Sequence, residues 1–383
     1  MEKHARAAAV INLDHVAGNI GAIRKMISPK TMIMAVVKAN GYGHGSLEIS
    51  AAALEAGADW LGVATVSEGV TLRGAGITAP ILVLSPAFEE EFEPIIQHDL
   101  ASTFFSLSGC QRLSQMAGLL GKTAKVHIKI DTGFNRIGYR LDDMDAVAGE
   151  ILTISKLPGI EIQGVYSHLA TSDSDPEFVG EQLSRFLEMI DKLAAAGLTI
   201  PIKHISNSGG VLGHPECNLD LVRCGILIYG MAPDSKPEGA NRVEGLGFRK
   251  TLTVKSRVAH LKTVKKGESV GYSRNYFARK DISVATIPIG YADGFSRHLS
   301  NVGKVLICGR YCDIIGTICM DQFMADVTGV PVEVGDEVVI IGKSGENQIL
   351  AEDVAGWRGT INYEVAACLA QRIPKYYVRG EDA

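Results

Sequence analysis

No stretch of this 383-residue chain is apolar for long enough to cross a membrane: no run approaches the ~18 residues a span needs. The opening MEKHARAAAVINLDHV holds no continuous apolar core of signal-peptide length. Positive charge is not in surplus either. Thirty-eight Lys and Arg stand against 43 Asp and Glu, a net charge of −5, which argues against a nucleic-acid partner and its usual basic face. The seven cysteines are an odd number, and Cys308, Cys312 and Cys319 form no CxxC pair and have no ligand histidine among them, so no metal site is expected. No GxGxxG follows the first apolar run, GYGHG has the wrong spacing, and no Walker A sequence occurs, which excludes the common nucleotide-binding turns. There is no low-complexity tract. These absences predict a cytoplasmic protein with reduced thiols.

What the chain does have is apolar content, 46% of its residues, enough for a large core. Short apolar runs recur at residues 33–37, 61–64, 81–84, 101–104, 126–130, 163–166, 203–206 and 222–229. Helical spacing fills the intervals, as at 182–193, where Leu183, Phe186, Leu187 and Ile190 recur on one face. Eight strands alternating with helices predict a (β/α)8 TIM-like barrel. An open doubly wound sheet shares that alternation, but the missing GxGxxG favours the barrel. From about Pro233 the texture changes. Residues 234–247 are polar and carry Gly and Pro, as a boundary does. Beyond them strand-like pieces at 252–263, 282–287, 304–307, 322–327 and 337–341 predict a mainly-β domain, with a last helical stretch at 360–371. The expected division is a barrel over 10–235, with 1–9 and 240–383 in the β domain.

The first strand ends in AVVKANGYGHG. Lys38 stands just off a hydrophobic strand, where lost hydration lowers its pKa and favours the free amine, a nucleophile for aldehydes. A snorkelling lysine followed by a loop reads the same residues without chemistry. Active sites of such barrels lie at the carboxyl ends of the strands. There stand Lys38, Asp131 and Arg136 in DTGFNRIG, His168 in YSHLATSD, the loop SNSGG, and Arg223 with Gly225. A small-residue loop opening a helix presents N–H groups to a phosphate. An aldehyde cofactor that carries a phosphate and is held by a lysine imine is pyridoxal 5'-phosphate.

Nine segments in order, VVKANGYGHG, KIDTGFNRIG, SHLATSD, SNSGG, LVRCGILIYG, VGYSRNY, IPIGYADG, ICMDQ and TINYEV, resemble the alanine racemase family over nearly the whole chain. The resemblance implies a racemase that interconverts L- and D-alanine by two-base proton transfer and supplies D-alanine for peptidoglycan. It implies a head-to-tail homodimer with shared active sites, a small amino-acid substrate, a Schiff base on Lys38, and Lys38 and Tyr272 as the two bases, Tyr272 coming from the partner. Arg223 would face the pyridine nitrogen, His168 would support Arg223 and Tyr272, and Arg136 would contact the cofactor's phenolic oxygen. Tyr42, Ser208, Gly225, Ile226 and Tyr363 resemble phosphate contacts. Met320 resembles a backbone N–H donor to the substrate carboxylate, Asp173, Tyr291 and Arg297 resemble entrance residues, and Lys129 matches a lysine that some relatives carbamylate to brace Arg136.

Three positions depart from the family pattern. Phe134 replaces a methionine, Gly271 and Ser273 invert the flanks of Tyr272, and Thr317 replaces an arginine that lines the entrance. Loss of that cation would widen the site toward serine. A broader amino-acid racemase is therefore one alternative. A pyridoxal-phosphate decarboxylase is another, although it would want an acid where Arg223 stands. A non-catalytic cofactor carrier would not need the residues after Pro233, and a class I aldolase would use Lys38 without cofactor.

Overall fold

The computed structural model describes residues 5–380, so the parts of the expected β domain at 1–4 and 381–383 lie outside the described residues. The chain divides into two compact units. One comprises Ala17–Gly41 and Ile49–Ile228; the other holds the residues up to Val16, the segment Tyr42–Glu48, and the chain from Tyr229 onward.

The first unit is a barrel. Its parallel strands run in the order Leu221–Cys224, Met32–Val36, Trp60–Val63, Ile81–Pro86, Ala101–Phe104, Ala124–Asp131, Ile160–Tyr166 and Ile202–His204. Trp60–Val63 and Ala101–Phe104 are buried at every position, as strands covered on both faces must be. Two hydrogen bonds, Asp220 N to Lys203 O and Arg223 N to Ser206 O, both 3.1 Å, close the ring between the last strand and the one before it. The 20-residue helix Pro176–Ala195 begins where Asp175 Oδ1 accepts from Phe178 N, and it buries Val179, Phe186, Met189 and Leu193. The predicted strand at 222–229 stops at Cys224, and Ile226–Tyr229 forms a 3-10 turn instead. The reason is local. Ser208 Oγ accepts from Gly225 N at 3.1 Å and Leu227 N at 3.4 Å, which takes those groups out of any ladder.

The second unit is the separate mainly-β sheet. Its strands order as His260–Val264, Ile282–Ile287, Phe323–Asp326, Arg310–Ile315, Lys304–Ile307, Glu337–Ser344, Leu252–Arg257, Ala7–Asn12 and Lys375–Val378. The single run expected at 252–263 is two strands. Val258 N turns to Asp336 O and Ala259 N to Thr286 O, so the chain changes partner strands at that point. The polar stretch expected as a boundary contains a helix, Pro237–Gly245, that starts at a proline. The last helical stretch is shorter than expected, Asn362–Ala367, preceded by Ala351–Arg358, which ends where Gly359 takes a left-handed φ of 72°. Among the described residues, no helix is long and apolar enough to cross a membrane.

One buried carboxylate ties this unit together. Asp293, fully buried, accepts from Arg6 at 2.6 Å, from Arg372 Nε at 2.7 Å and from Gly290 N at 2.8 Å. Arg372 reaches on to Asp321 at 2.7 Å. The loop at 290–294 and the loop at 319–321 are thereby held side by side, with Tyr291 N donating to Cys319 O and Ala292 N to Met320 O. Asp293→Ala should cost about 3 kcal/mol because it strands two guanidiniums and a buried N–H. Arg6→Ala, at a half-exposed position, should cost less than about 1 kcal/mol. Urea unfolding midpoints compare the two, and equal losses would contradict the assignment.

Candidate active site

Lys38 stands two residues past the end of the first barrel strand, Met32–Val36. Burial lowers its amine below the usual lysine range, the Arg136 charge lowers it further, and the Glu68 carboxylate opposes both. The next four residues turn left-handed: φ is 51° at Ala39, 52° at Asn40, 61° at Gly41 and 51° at Tyr42. Each non-glycine residue in that region costs roughly 1–2 kcal/mol. The turn is closed by Gly41 N donating to Val37 O at 2.8 Å and is tethered by Ala39 N donating to Glu68 Oε1 at 2.7 Å.

Arg223 lies in the barrel interior on Leu221–Cys224 and is 4% exposed. It donates to Ser167 O at 2.8 Å, Ile205 O at 3.1 Å, His168 Nδ1 at 3.0 Å and His204 Nδ1 at 3.0 Å. Burial lowers its pKa to about 10, which leaves it protonated at neutral pH. Among the described residues it has no ion pair with a carboxylate. An arginine only donates, so both imidazoles must present a bare Nδ1 and carry their proton on Nε2. Burial and the Arg223 charge hold both well below the usual histidine range, hence neutral. His204 Nε2–H then donates to His127 Nδ1 at 2.9 Å, and the His127 Nε2–H ends the relay buried and unpartnered. Tyr166 stacks on His204 with ring centres 4.7 Å apart. Gly164, on the neighbouring strand, is glycine for a reason: a Cβ there would overlap the His127 ring.

Lys129 is buried with its Nζ donating to Ile130 O at 2.9 Å and 5.1 Å from the centre of the Tyr166 ring. Burial first, then Arg223, lower its pKa to about 7. Arg136 stacks its guanidinium 4.3 Å from the Phe134 ring centre, and Phe134 turns its edge toward His168 at 5.3 Å. The phenylalanine that departs from the family pattern thus joins two expected site residues. Asp131 Oδ1 accepts from Gly133 N and Asn135 N and shapes this loop. In SNSGG, Asn207 Oδ1 accepts from Gly210 N and caps Ser208–Gly213. The N–H groups of Ser208, Gly209 and Ile226 open helical turns and so lack acceptors within them. Asp173 is exposed.

The remaining expected residues belong to the second unit. Tyr272, 67% exposed, opens a short turn in which Gly271, Ser273 and Arg274 all have positive φ. A Cβ on Gly271 would crowd Thr317 N at 3.1 Å, which accounts for glycine before the tyrosine. Thr317 does not line an opening: it is 3% exposed, donates its hydroxyl to Tyr272 O at 3.1 Å and accepts from Asn275 Nδ2 at 2.7 Å. Thr317 thus braces the Tyr272 segment and brings no cation to it. Tyr291, Arg297 and Met320 are exposed. Tyr42 and Tyr363 are half-buried with ring centres 6.1 Å apart, and burial raises the Tyr42 phenol, which keeps its proton for donation. His127, His204 and Glu68 went unread in the sequence. His204 carried little local signal, since Lys203 and Ser206 beside it are polar as well.

The alanine racemase N-terminal domain model matches residues 11–233, and the alanine racemase C-terminal domain model matches residues 251–377. The chain is 42% identical over 374 residues to a protein named alanine racemase 2 from Caldanaerobacter subterraneus subsp. tengcongensis, covering 97% of this chain and 95% of that one. An alanine racemase structure from Clostridium difficile 630 superposes with a TM-score of 0.92 at 36% identity, covering 99% of this chain and 97% of that one. A Bartonella henselae alanine racemase structure with covalently bound pyridoxal phosphate gives a TM-score of 0.87 at 28% identity, covering 98% and 100%. On these matches, which span both units, the chain belongs to the alanine racemase family.

Proposed function

We propose that this chain interconverts L- and D-alanine, with Lys38 and Tyr272 as the two proton carriers, and that it supplies D-alanine for peptidoglycan in the cytoplasm. The observation that carries the reading is the barrel: an amine at a strand end whose pKa burial and Arg136 lower, and a buried Arg223 that, among the described residues, pairs with no carboxylate.

The residues fit pyridoxal phosphate. Lys38 is a half-buried amine suited to an aldehyde, and the N–H groups of Ser208, Gly209 and Ile226, which open helical turns, suit a phosphate, for which the family resemblance adds Tyr42 as a contact. When bound, the cofactor holds the amino nitrogen of the substrate covalently and acidifies its Cα. Arg223 would face the ring nitrogen and, being a donor that keeps its proton, leave that nitrogen unprotonated. This disfavours the decarboxylase reading, which wants an acid at that position. Arg136 would contact the phenolic oxygen and the substrate carboxylate, with Met320 N–H as a second donor, and Gly225 and Tyr363 would complete the phosphate site. His168 would hold Arg223 and Tyr272 in place. Asp173, Tyr291 and Arg297 would line the entrance.

Inverting Cα takes a proton from one face and returns one to the other, so one base on each side suffices without large motion. The lowered pKa of Lys38 favours its free-amine form. Tyr272 would act from the partner subunit of a homodimer, with the mainly-β domain, 240–383 and the first nine residues, completing the site of the barrel formed by 10–235. A chiral assay of the holoenzyme with L-alanine, L-serine and L-lysine tests the activity. Lys38→Ala and Tyr272→Phe should each abolish turnover, and mixing the two should restore roughly a quarter of it, since a two-fold dimer with one variant in each chain keeps one intact site. A mixture that stays inactive after subunit exchange would rule out shared sites.

Lys129 is the position proposed for carbamylation, in which its neutral amine adds to carbon dioxide and releases a proton. Its amine is available near neutrality because the folded chain releases that proton at about 7, against 10.5 for an ordinary lysine. Between those values the unfolded chain binds more protons, so stability rises with pH across the window. Lys129→Met should therefore stabilise the carbon-dioxide-free protein most at or below about pH 7, with the gain fading toward pH 10.5. Thermal melting of both proteins across that range checks this, and a gain that does not vary with pH would refute it.

A further inference from the structure

The side chain of Glu68 spans two strand ends of the barrel. It follows the strand Trp60–Val63 and forms a capping box at the start of Val66–Gly74: Glu68 N donates to Thr65 Oγ1 at 3.3 Å, and Oε2 accepts from Ala64 N at 2.7 Å and Thr65 N at 3.2 Å. A cap needs only that oxygen. The other, Oε1, crosses to the end of the adjacent strand Met32–Val36 and accepts from Ala39 N at 2.7 Å. Ala39 is the residue after Lys38 and the first of the left-handed turn. The turn holds Ala39, Asn40 and Tyr42 in a conformation that residues with a Cβ avoid, and it would relax without an external tether. Its internal hydrogen bond, from Gly41 to Val37, leaves Ala39 N to Glu68.

We propose that Glu68 is a positioning residue for Lys38, its carboxylate clamping the left-handed turn that aims the amine while setting a negative charge against Arg136. This rests on the reading of Lys38 given above. The amine feels Arg136 and Glu68 with opposite sign, and it acts in turn on His168. Removing the Glu68 charge leaves Arg136 unopposed. Glutamine keeps an oxygen for one contact but turns an NH2 toward a backbone N–H at the other.

The holoenzyme carrying Glu68→Gln tests this with readouts a plain structural role would not move together. The pH midpoint of the cofactor's visible absorbance should fall by roughly half a unit to one unit. Deuterium exchange at the amides of residues 39–41 should speed up roughly tenfold, and kcat should fall roughly tenfold with KM little changed. Adding Ala39→Gly, which suits the left-handed turn, should restore kcat and leave the midpoint low, because it replaces the clamp and not the charge. Should Glu68→Gln fail to fold, Glu68→Asp keeps the charge and shortens the reach. It should show fast exchange with the parent midpoint. Parental midpoint and exchange in Glu68→Gln, or parental exchange in Glu68→Asp, would overturn the proposal. A Lys38→Ala protein that still holds the visible band would overturn the reading of Lys38 and the proposal with it. Exchange in Glu68→Gln, which needs no cofactor, tells that failure from a failure of the clamp.

Discussion

A guanidinium that keeps its proton sits in the barrel interior, and the polar core is arranged around the direction in which it donates. Burying such a charge costs several kcal/mol unless its hydrogen bonds are met. Arg223 meets its own with two carbonyls and two imidazoles rather than with an acid. Because it can only give protons, the imidazoles must receive them, and their tautomers follow. The uncompensated charge also reaches the neighbouring groups. Arg223 contributes to lowering Lys129, His168 and His204, and Arg136 does the same at Lys38. A cationic interior therefore favours free bases, the state in which an amine can attack an aldehyde or accept a proton.

Backbone strain recurs where expected site residues stand. Lys38 is followed by a left-handed turn, and Tyr272 is flanked by three residues with positive φ. Each strained segment has a polar anchor off its own run of chain: Glu68 for the first, Thr317 for the second. Strain of this kind persists only where the surroundings over-determine it, and both anchors act on main-chain atoms, so they fix direction and leave the side chain free for chemistry.

Much of this was visible in the sequence. Strand positions in the barrel were legible because strands buried on both faces are largely apolar, and Lys38, His168 and Arg223 stood out as polar residues in or just past them. The strand Ala7–Asn12 was not, since an alanine-rich run gives neither a period-two nor a helical pattern. The turn at Ile226–Tyr229 was hidden by its composition: all four residues are hydrophobic and buried, and the groups that hold it, the Ser208 hydroxyl and the Asn19 amide among them, lie far off in the chain. The bracing role of Thr317 was hidden for a related reason. A threonine can face solvent or brace a backbone carbonyl, and which it does depends on where Tyr272 lies, far off in the chain. Glu68 carried a legible cap motif with Thr65, but its second oxygen serves a partner on another strand, which no local spacing reveals.

The contact between Gly164 and the His127 ring binds two positions into a single choice. The imidazole occupies the volume that any other residue at 164 would need for its Cβ. Sequence drift can enlarge position 164 only after position 127 has shrunk, and shrinking 127 takes away the acceptor of the His204 proton. The order of permitted changes is thus one-way: a larger residue at 164 presupposes a smaller one at 127.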